Sequence, residues 1–522
     1  MKKALSSALA AVLTVSAVAL SGCSDGGEKI DPNKTQLYIG ITQGGLGTVW
    51  MENLKKEYET LHSDVQIIYD EQNDPYKGTT LQTGMKNNVQ DLYFVYSSDY
   101  KSFVDADVLL NITDLVTTDY YNQDGDLVSE GATTSLEDRL IDERFTEYYN
   151  INGKYFGLPF YNIPSGIIYD ADLFNSKSWY FSDSGAIGVK NDAANIGKGP
   201  DGVAGTYDDG LPETYDQFKT LLAKIKKTNI PFMFSANTLY QRNYVLSQIA
   251  ATYEGKTNFE LNYTFSGTDS KLGEINQENG YKLLEQEGKK KAIEFAYDIV
   301  KKGYVPNKCL QNAVDYKGAQ QEFIQSVSLG GNNRIAMLFE GSFWERESAA
   351  IFDEMAVNNS NLGFGKRNFK LMPFPKFSDQ TNTKQVMSLA TDTSMICISK
   401  TATHPELAKD FLKFALSRKN MADFTRLTGT FYAFKYEMSQ DEIAECTPFV
   451  RSCVEQYANK DVDKIFDLKV AFIKNSKYES WMFKAEDSVD PFSAAHKSSY
   501  ATADDYWNSH KSIFNAGSWL AN

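Results

Sequence analysis

Residues 36–61 have the sequence QLYIGITQGGLGTVWMENLKKEYETL. A glycine turn separates two different patterns of hydrophobic residues within them. The first six residues, 36–41, have the pattern of a short strand, and GGLG at 44–47 has the composition of a tight turn. From Val49 to Leu61 the apolar residues recur at helical spacing. The stretch therefore predicts a strand, a turn and a helix in immediate succession.

The same alternation continues along the chain. VQIIY at 65–69 and DLYFV at 91–95 predict two more short strands with a helical stretch between them. Strands that alternate with helices are typical of an α/β fold with helices on both faces of the sheet. Ligands of such sheets bind beyond the strand ends, and the residues at these places are Gln43, Gly44, Ser98 and Asp99.

The first residues have the layout of a secretory signal. Lys2 and Lys3 precede an uncharged stretch rich in Ala, Val and Leu, and LSGC at 20–23 resembles the bacterial lipoprotein box. We expect residues 1–22 to be removed and Cys23 to carry the lipid. Residues 23–34 then form the lipidated end and a polar tether, because SDGGEKIDPNK is unable to pack into a core.

Net charge and chain length limit the classes of partner and the number of lobes. The full chain of 522 residues has a formal charge of −15, and loss of the two signal lysines makes it −17. That balance argues against nucleic acid and anionic lipid as partners. After the tether no stretch approaches the roughly 18 to 20 apolar residues of a membrane helix, so we expect a protein held on the extracytoplasmic face by its anchor alone. About 500 residues exceed one usual core, which predicts two lobes.

The cysteines are too few for a disulfide scaffold. Beyond Cys23 only Cys309, Cys397, Cys446 and Cys453 remain. Their spacing leaves open whether Cys446 and Cys453 form a bridge or are buried free thiols.

An acidic, glycine-rich loop at 191–211 suggests one metal. Asp201, Asp208 and Asp209 alternate with glycines and supply the hard oxygen ligands that calcium prefers. The spacing differs from that of an EF-hand, and a solvated loop is the alternative. No cofactor is otherwise required.

Four stretches resemble the extracellular solute-binding proteins of carbohydrate ABC importers, the group that includes the maltose-binding protein. They are LYIGITQGGLGTVWMENLKKEYE (37–59), GLPFYNIPSGIIYDADLF (157–174) with LPETYDQFKTLLAKI (211–225), IPFMFSANTLYQRNYVLSQIAA (230–251) and RIAMLFEGSFWERE (334–347). LATDTSMICISKTATHPELAKDFLKFAL (389–416) is similar to the family's return crossing, strand and helix.

The resemblance implies a two-lobed, type II periplasmic-binding-protein fold with a hinge and a ligand cleft between the lobes. The crossings are expected near Pro159, near residues 391–393 and beyond Gly429. The first lobe would comprise 35–158 plus about 394–430, and the second 159–393 plus about 431–522. The expected ligand is a carbohydrate, with an oligosaccharide favoured, which the protein captures by hinge closure. The other expected partners are the separate permease subunits of an ABC importer, and we expect a monomer.

Sugars need aromatic faces for stacking and polar side chains for their hydroxyl groups. In the family a tryptophan follows the glycine that matches Gly341; here Phe343 holds that position and Trp344 comes one later, so either ring is a candidate. Trp50 is expected in the core, and Trp481 suits core or cleft equally. The expected ligand-binding residues are Gln43, Gly44, Ser98, Asp99, Tyr161, Asn162, Asn237, Tyr240, Arg242, Glu340, Phe343, Trp344 and Trp481.

Two other function classes remain as alternatives. A membrane-anchored glycoside hydrolase needs two opposed carboxylates, and 68 Asp and Glu residues always offer some pair. With four histidines and no His-Glu-x-x-His or Gly-x-Ser-x-Gly motif, other hydrolytic chemistry is disfavoured, and we expect no catalytic activity. The same fold binding a peptide or a polyol is the second alternative.

Overall fold

The computed structural model describes residues 29–42, 44–72, 78–96, 100–311, 313–379, 384–390, 394–467 and 478–520. The signal segment, Cys23 and the first part of the tether lie outside them. The strands are β1 (Thr35–Thr42), β2 (Val65–Gln72), β3 (Leu92–Tyr96), β4 (Asn150–Ile151), β5 (Lys154–Tyr155), β6 (Leu158–Pro159), β7 (Tyr161–Asp170), β8 (Tyr180–Phe181), β9 (Ile187–Val189), β10 (Ile230–Met233), β11 (Gly267–Asp269), β12 (Gly273–Ile275), β13 (Ile335–Gly341), β14 (Phe369–Met372), β15 (Gln385–Ala390), β16 (Ser394–Ile398), β17 (Phe431–Tyr432) and β18 (Val462–Phe466).

The helices are α1 (Val49–Leu61), α2 (Gly78–Lys86), α3 (Tyr100–Asp105), α4 (Thr113–Thr117), α5 (Glu143–Tyr149), α6 (Ala171–Lys177), α7 (Tyr215–Lys226), α8 (Leu239–Glu254), α9 (Lys256–Thr264), α10 (Glu287–Lys301), α11 (Tyr316–Gln325), α12 (Trp344–Glu347), α13 (Ala349–Asn358), α14 (Pro405–Ala415), α15 (Arg418–Thr428), α16 (Gln440–Ala444), α17 (Pro448–Ala458), α18 (Tyr478–Trp481), α19 (Pro491–Lys497), α20 (Ala503–Lys511) and α21 (Ala516–Leu520). None of these described helices combines the length and apolarity needed to cross a bilayer.

The first lobe is built on a sheet of order β2-β1-β3-β16-β6. Strands β2 and β3 run parallel to β1, so their carboxyl ends meet at one edge. Helix α1 covers the sheet. Trp50 has 1% of its surface exposed and packs against Phe94 and Phe160 at centroid distances of 5.4 and 5.5 Å, which confirms its expected place in the core.

The second lobe is built on a sheet of order β10-β13-β7-β15-β18, with β14 and β17 also paired to β7. Strand β7 runs antiparallel to β13 and β15, whereas β10 is parallel to β13 and β18 is parallel to β15. One edge of this sheet therefore gathers the start of β7 and the carboxyl ends of the other four strands. Gly166 lets β14 approach β7, because a Cβ there would lie 2.8 Å from the carbonyl oxygen of Met372.

The chain changes sheet at three places. Strand β6 belongs to the first sheet and β7 to the second, with Phe160 alone between them. Strands β15 and β16 also lie in different sheets, although the connecting residues 391–393 fall outside the described part of the chain. After Gly429, which ends α15 at a φ of 74°, β17 pairs with β7. The predicted two-lobed α/β fold is thus confirmed.

The chain's last helices belong to the second lobe. Helices α19 and α20 pack on α10, and the fully buried Lys289 of α10 donates to the hydroxyl group of Tyr478 over 2.7 Å. The four cysteines of the described residues, Cys309, Cys397, Cys446 and Cys453, are all buried free thiols. The bridge that the spacing left open between Cys446 and Cys453 is therefore not formed in this structure.

Candidate functional site

Tyr240 and Glu340 meet at the edge of the second sheet where the strands end. Tyr240 lies in the first turn of α8, just after β10, and Glu340 is the penultimate residue of β13. The tyrosine hydroxyl group lies 3.0 and 3.1 Å from the two carboxyl oxygens. Tyr240 is partly exposed, as a ligand-contacting ring should be.

Glu340 lies beneath Tyr240 with none of its surface exposed. Its carboxyl group also accepts hydrogen bonds from the side chain of Gln241, from Gln320 at 3.2 Å and from the backbone amide of Gly341 at 2.9 Å. Burial raises the pKa of Glu340 to about 8. The expectation of direct ligand contact is corrected: Glu340 fixes the ring above it.

Two further tyrosines flank Tyr240. The ring of Tyr244 lies 6.1 Å from it, one helical turn along α8, and the ring of Tyr316, in α11, lies 5.9 Å away. Tyr244 donates to the carboxylate of Asp467 over 2.9 Å, directly after β18. Tyr244, Tyr316 and Asp467 were not among the residues predicted from the sequence. The spacing of four residues between Tyr240 and Tyr244 was the one available signal, because both lie on the same face of a helix.

The adjacent rings of Phe343 and Trp344 point in different directions. Phe343 is partly exposed and faces the glycine turn of the first lobe, where a Cβ on Gly45 would lie 2.7 Å from its Cδ2 atom. Trp344 has no exposed surface and packs against Phe323, Phe352, Phe369 and Phe449. Trp344 is a core residue, which corrects the expectation that it faces the cleft.

Tyr161 and Asn162 are also buried, at the start of β7 beside the first crossing. The side-chain amide of Asn162 donates to the carbonyl oxygen of Tyr432 over 2.9 Å and ties β7 to β17. Their predicted role in direct ligand contact is corrected to a structural one at the crossing.

The other predicted side chains are more dispersed. Arg242 pairs with Asp490 over 3.5 Å, which turns it toward the C-terminal helices. Asn237 is exposed and donates to the carbonyl oxygen of Gln311. Trp481 is partly exposed and lies 6.5 Å from the ring of Phe514. Gly44 lies in the glycine turn, whereas Gln43, Ser98 and Asp99 fall outside the described residues.

The two lobes touch at two places connected to the tyrosines. The first is the contact of Phe343 with the glycine turn. At the second, Arg144 of α5 lies 3.1 Å from Glu260 of α9, and Phe145 packs edge-on against Phe466, which precedes Asp467, with a centroid distance of 6.5 Å. The partly exposed tyrosines therefore belong to the wall of the second lobe that faces the first.

The acidic loop uses its carboxylates to hold its own backbone. Asp208, which has 1% of its surface exposed, accepts from the amide of Asp201 at 3.1 Å, and Asp209 accepts from the amide of Gly205 at 2.8 Å. Burial raises the pKa of Asp208 to about 6. No group of three or more His, Cys, Asp or Glu side chains in the described residues is placed to hold a metal ion. Calcium binding here stays a prediction.

The family model for bacterial extracellular solute-binding proteins matches residues 53–445. The chain belongs to this family. The family consists of binding proteins rather than enzymes, which agrees with the expectation that this chain is not catalytic. No curated protein matches the sequence of this solute-binding protein.

Solved structures share the fold of this solute-binding protein at low sequence identity. One, from a study of xylan utilization by Caldanaerobius polysaccharolyticus, is 15% identical over 92% of this chain and 100% of its own, with a TM-score of 0.56. A chitin oligosaccharide binding protein is 15% identical, covers 94% and 100%, and has a TM-score of 0.55. RafE in complex with raffinose is 15% identical, covers 92% and 100%, and has a TM-score of 0.53.

Proposed function

We propose that this solute-binding protein captures a carbohydrate between its two lobes and delivers it to the permease of an ABC importer. The observation that carries the proposal is the partly exposed Tyr240 on the second-lobe wall, which is hydrogen-bonded to Glu340 and in ring contact with Tyr244 and Tyr316. Tyrosine combines an apolar face with a polar rim, as sugar binding requires. Two structures with this fold, RafE in complex with raffinose and a chitin oligosaccharide binding protein, give further support.

Closure about the three crossings is the proposed mechanism. A ligand that touches both lobes only when they are together stabilises the closed state by its differential affinity for that state. The permease then recognises the closed protein. We further propose that Cys23 carries a lipid that holds the protein at the extracytoplasmic face of the membrane.

Titration calorimetry of the soluble chain beginning at Ser24 tests the proposal. The panel comprises mono-, di- and trisaccharides of the glucose, xylose, galactose and N-acetylglucosamine series. We expect saturable binding of one series without release of reducing ends, and a loss of at least tenfold in affinity in Tyr240→Ala. Tyr253→Ala is the control, because this partly exposed tyrosine lies 13 residues further along α8 and about 20 Å away along its axis.

Each contrary result has a distinct meaning. If the wild type binds no sugar of the panel, carbohydrate is rejected as the ligand and a peptide or a polyol is favoured. Release of reducing ends by the purified protein would instead favour the hydrolase.

A further inference from the structure

The ring of Phe343 lies between two glycines, one from each lobe. On the first-lobe side, a Cβ on Gly45 would lie 2.7 and 3.2 Å from the Cδ2 and Cε2 atoms of the ring. On the second-lobe side, a Cβ on Gly341 would lie 2.7 and 3.0 Å from its Cε1 and Cδ1 atoms. Opposite edges of the ring therefore touch opposite lobes, in a space that exists because neither glycine has a side chain.

The residues on either side of Phe343 fix its position in the second lobe. The amide of Ser342 donates to the carbonyl oxygen of Pro164 over 2.8 Å. Trp344 has no exposed surface and packs among four phenylalanine rings. Because a packed core resists small displacements, the Phe343 ring is presented to the first lobe from a rigid base.

Two residues of α12 extend this contact. A Cβ on Gly47 would lie 3.4 Å from the Cδ atom of Arg346, and one on Gly45 would lie 3.4 Å from the Oε1 atom of Glu347. Arg346 also donates from Nε to the carbonyl oxygen of Leu427, near the end of α15 in the first lobe, over 2.9 Å. One short segment of the second lobe thus contacts two elements of the first.

The first lobe holds its side of the contact just as firmly. The ring nitrogen of Trp50 donates to the carbonyl oxygen of Gly47 over 3.0 Å, and Trp50 packs against Phe424 of α15 with a centroid distance of 5.4 Å. The glycine turn and α15 are therefore tied to the same buried ring. The contact with Phe343 is broken when the lobes separate as bodies, because the turn is held to its own core.

We propose that Phe343, Arg346 and Glu347 form an interlobe clasp on the glycine turn, which stabilises the closed arrangement of the lobes. The clasp consists of direct contacts between the lobes, so it favours closure whichever ligand the cleft holds. Phe343 then acts as a closure residue, whereas the family resemblance predicts a sugar-stacking ring at its position. The inference goes beyond the proposed function, because it assigns these residues a role in the ligand-free protein.

Small-angle scattering of the ligand-free chain beginning at Ser24 tests the clasp. Gly45→Ala places a methyl group against the Phe343 ring, so we expect the ratio of closed to open molecules to fall about tenfold and the radius of gyration to rise. Gly131→Ala is the matched control. Its φ of 71° gives a backbone strain similar to that at the 81° of Gly45, but no described atom beyond its chain neighbours lies within 4 Å of the added Cβ.

Phe343→Ala removes the ring and should open the protein as well. In the double variant Gly45→Ala/Phe343→Ala the added methyl group has no ring to strike, so this protein should be no more open than Phe343→Ala alone. Circular dichroism melting checks the folding of each variant, and Phe343→Ala decides alone if Gly45→Ala does not fold.

Three results would each overturn the clasp. They are a wild-type scattering curve that fits an open arrangement, identical curves for Gly45→Ala and Gly131→Ala, and a curve for Phe343→Ala that equals that of the wild type. None of them bears on sugar binding, which calorimetry tests separately.

Discussion

Glu340 is a carboxyl group that the fold keeps away from water. Burial and the neighbouring Glu347 raise its pKa to about 8, above the value of about 4.3 expected in the unfolded chain. The folded state therefore holds the proton more tightly. The contribution to the free energy of unfolding is complete below about pH 4 and is lost as the pH rises toward 8.

Glu340→Gln removes this titration while retaining the size of the side chain. Relative to the wild type, we expect the variant to gain stability as the pH rises from 5 to 8, by up to about 1.4 kcal/mol per pH unit. Urea unfolding at several pH values measures the difference. Glu354→Gln, at an exposed position of α13, controls for the loss of a charge. Parallel pH profiles of wild type and Glu340→Gln would contradict the assignment.

Phe343 and Trp344 are consecutive residues whose rings have different surroundings. Trp344 has no exposed surface and packs among four phenylalanine rings, so Trp344→Ala should cost about 3–5 kcal/mol of unfolding free energy. Phe343→Ala should cost less, because its ring is partly exposed, and should weaken ligand binding instead. Guanidinium unfolding and calorimetry separate the two effects, and equal stability losses would refute the distinction.

The sequence predicted aromatic residues after Gly341 but not which ring faces the cleft. Consecutive residues in a tight turn point in different directions, and the direction depends on neighbours such as Phe323 and Phe449 that lie far away in the chain. Tyr240 was predicted to face the cleft and is partly exposed, but its contact with a ligand stays a prediction. Glu340 was predicted from the same pattern, yet it lies within β13 and is fully buried.

Among the elements, helix α7 tests how far local signals stabilise this fold. Thr214 accepts from the amide of Gln217 over 3.3 Å, and the side chain of Gln217 accepts in return, forming a capping box. Thr214→Ala should lower the free energy of unfolding by about 1 kcal/mol. Thr220→Ala, at an exposed position of the same helix, should change it by less than about 0.5 kcal/mol. Urea unfolding compares the two, and equal effects would argue against the cap.

Elements with a clean hydrophobic period were predictable and those without one were not. The limits predicted for α1, Val49–Leu61, are those observed, because one face is apolar and the other solvated. Helix α8 gives no such signal, since it buries polar as well as apolar residues, such as Gln248 beside Ile249. The partners of β7 are β13, β14, β15 and β17, which all come much later in the chain, and no local pattern encodes that pairing.

At the scale of the whole molecule, the second-lobe wall around Tyr240 is the feature that the sequence predicts least well. Tyr240, Tyr316 and Asp467 come from separate parts of the chain and meet because the sheet gathers its strand ends at one edge. Family resemblance predicted a cleft between two lobes, but the residues lining it depend on helix packing. The first crossing, by contrast, was marked locally by Pro159 and Pro164, whereas the one near residues 391–393 was expected from the family resemblance.

The contact between Arg144 and Glu260 links the lobes away from the crossings. Arg144 is held by Asp142 at 2.8 and 3.0 Å, and its side chain is 10% exposed. Glu260, 14% exposed, also accepts from the amide of Phe466 at 3.0 Å. Opening the lobes at this flank breaks the ion pair, and removal of one partner leaves the other charge uncompensated in the closed state, so the intact pair favours closure more than Arg144 opposite a neutral side chain would.

Glu260→Gln should therefore shift the ligand-free protein toward the open state and weaken ligand binding about five- to thirtyfold, corresponding to about 1–2 kcal/mol. Small-angle scattering should show a larger radius of gyration without ligand, and calorimetry the loss in affinity. Lys256→Gln is the comparison variant, because it removes the longer ion pair, over 3.9 Å, that Glu260 forms within its own helix. In a double-mutant cycle, the loss caused by Glu260→Gln should largely disappear when Arg144 is replaced by Met. Equal effects of Glu260→Gln and Lys256→Gln, or an unchanged loss in the Arg144→Met background, would show that the ion pair does not govern closure.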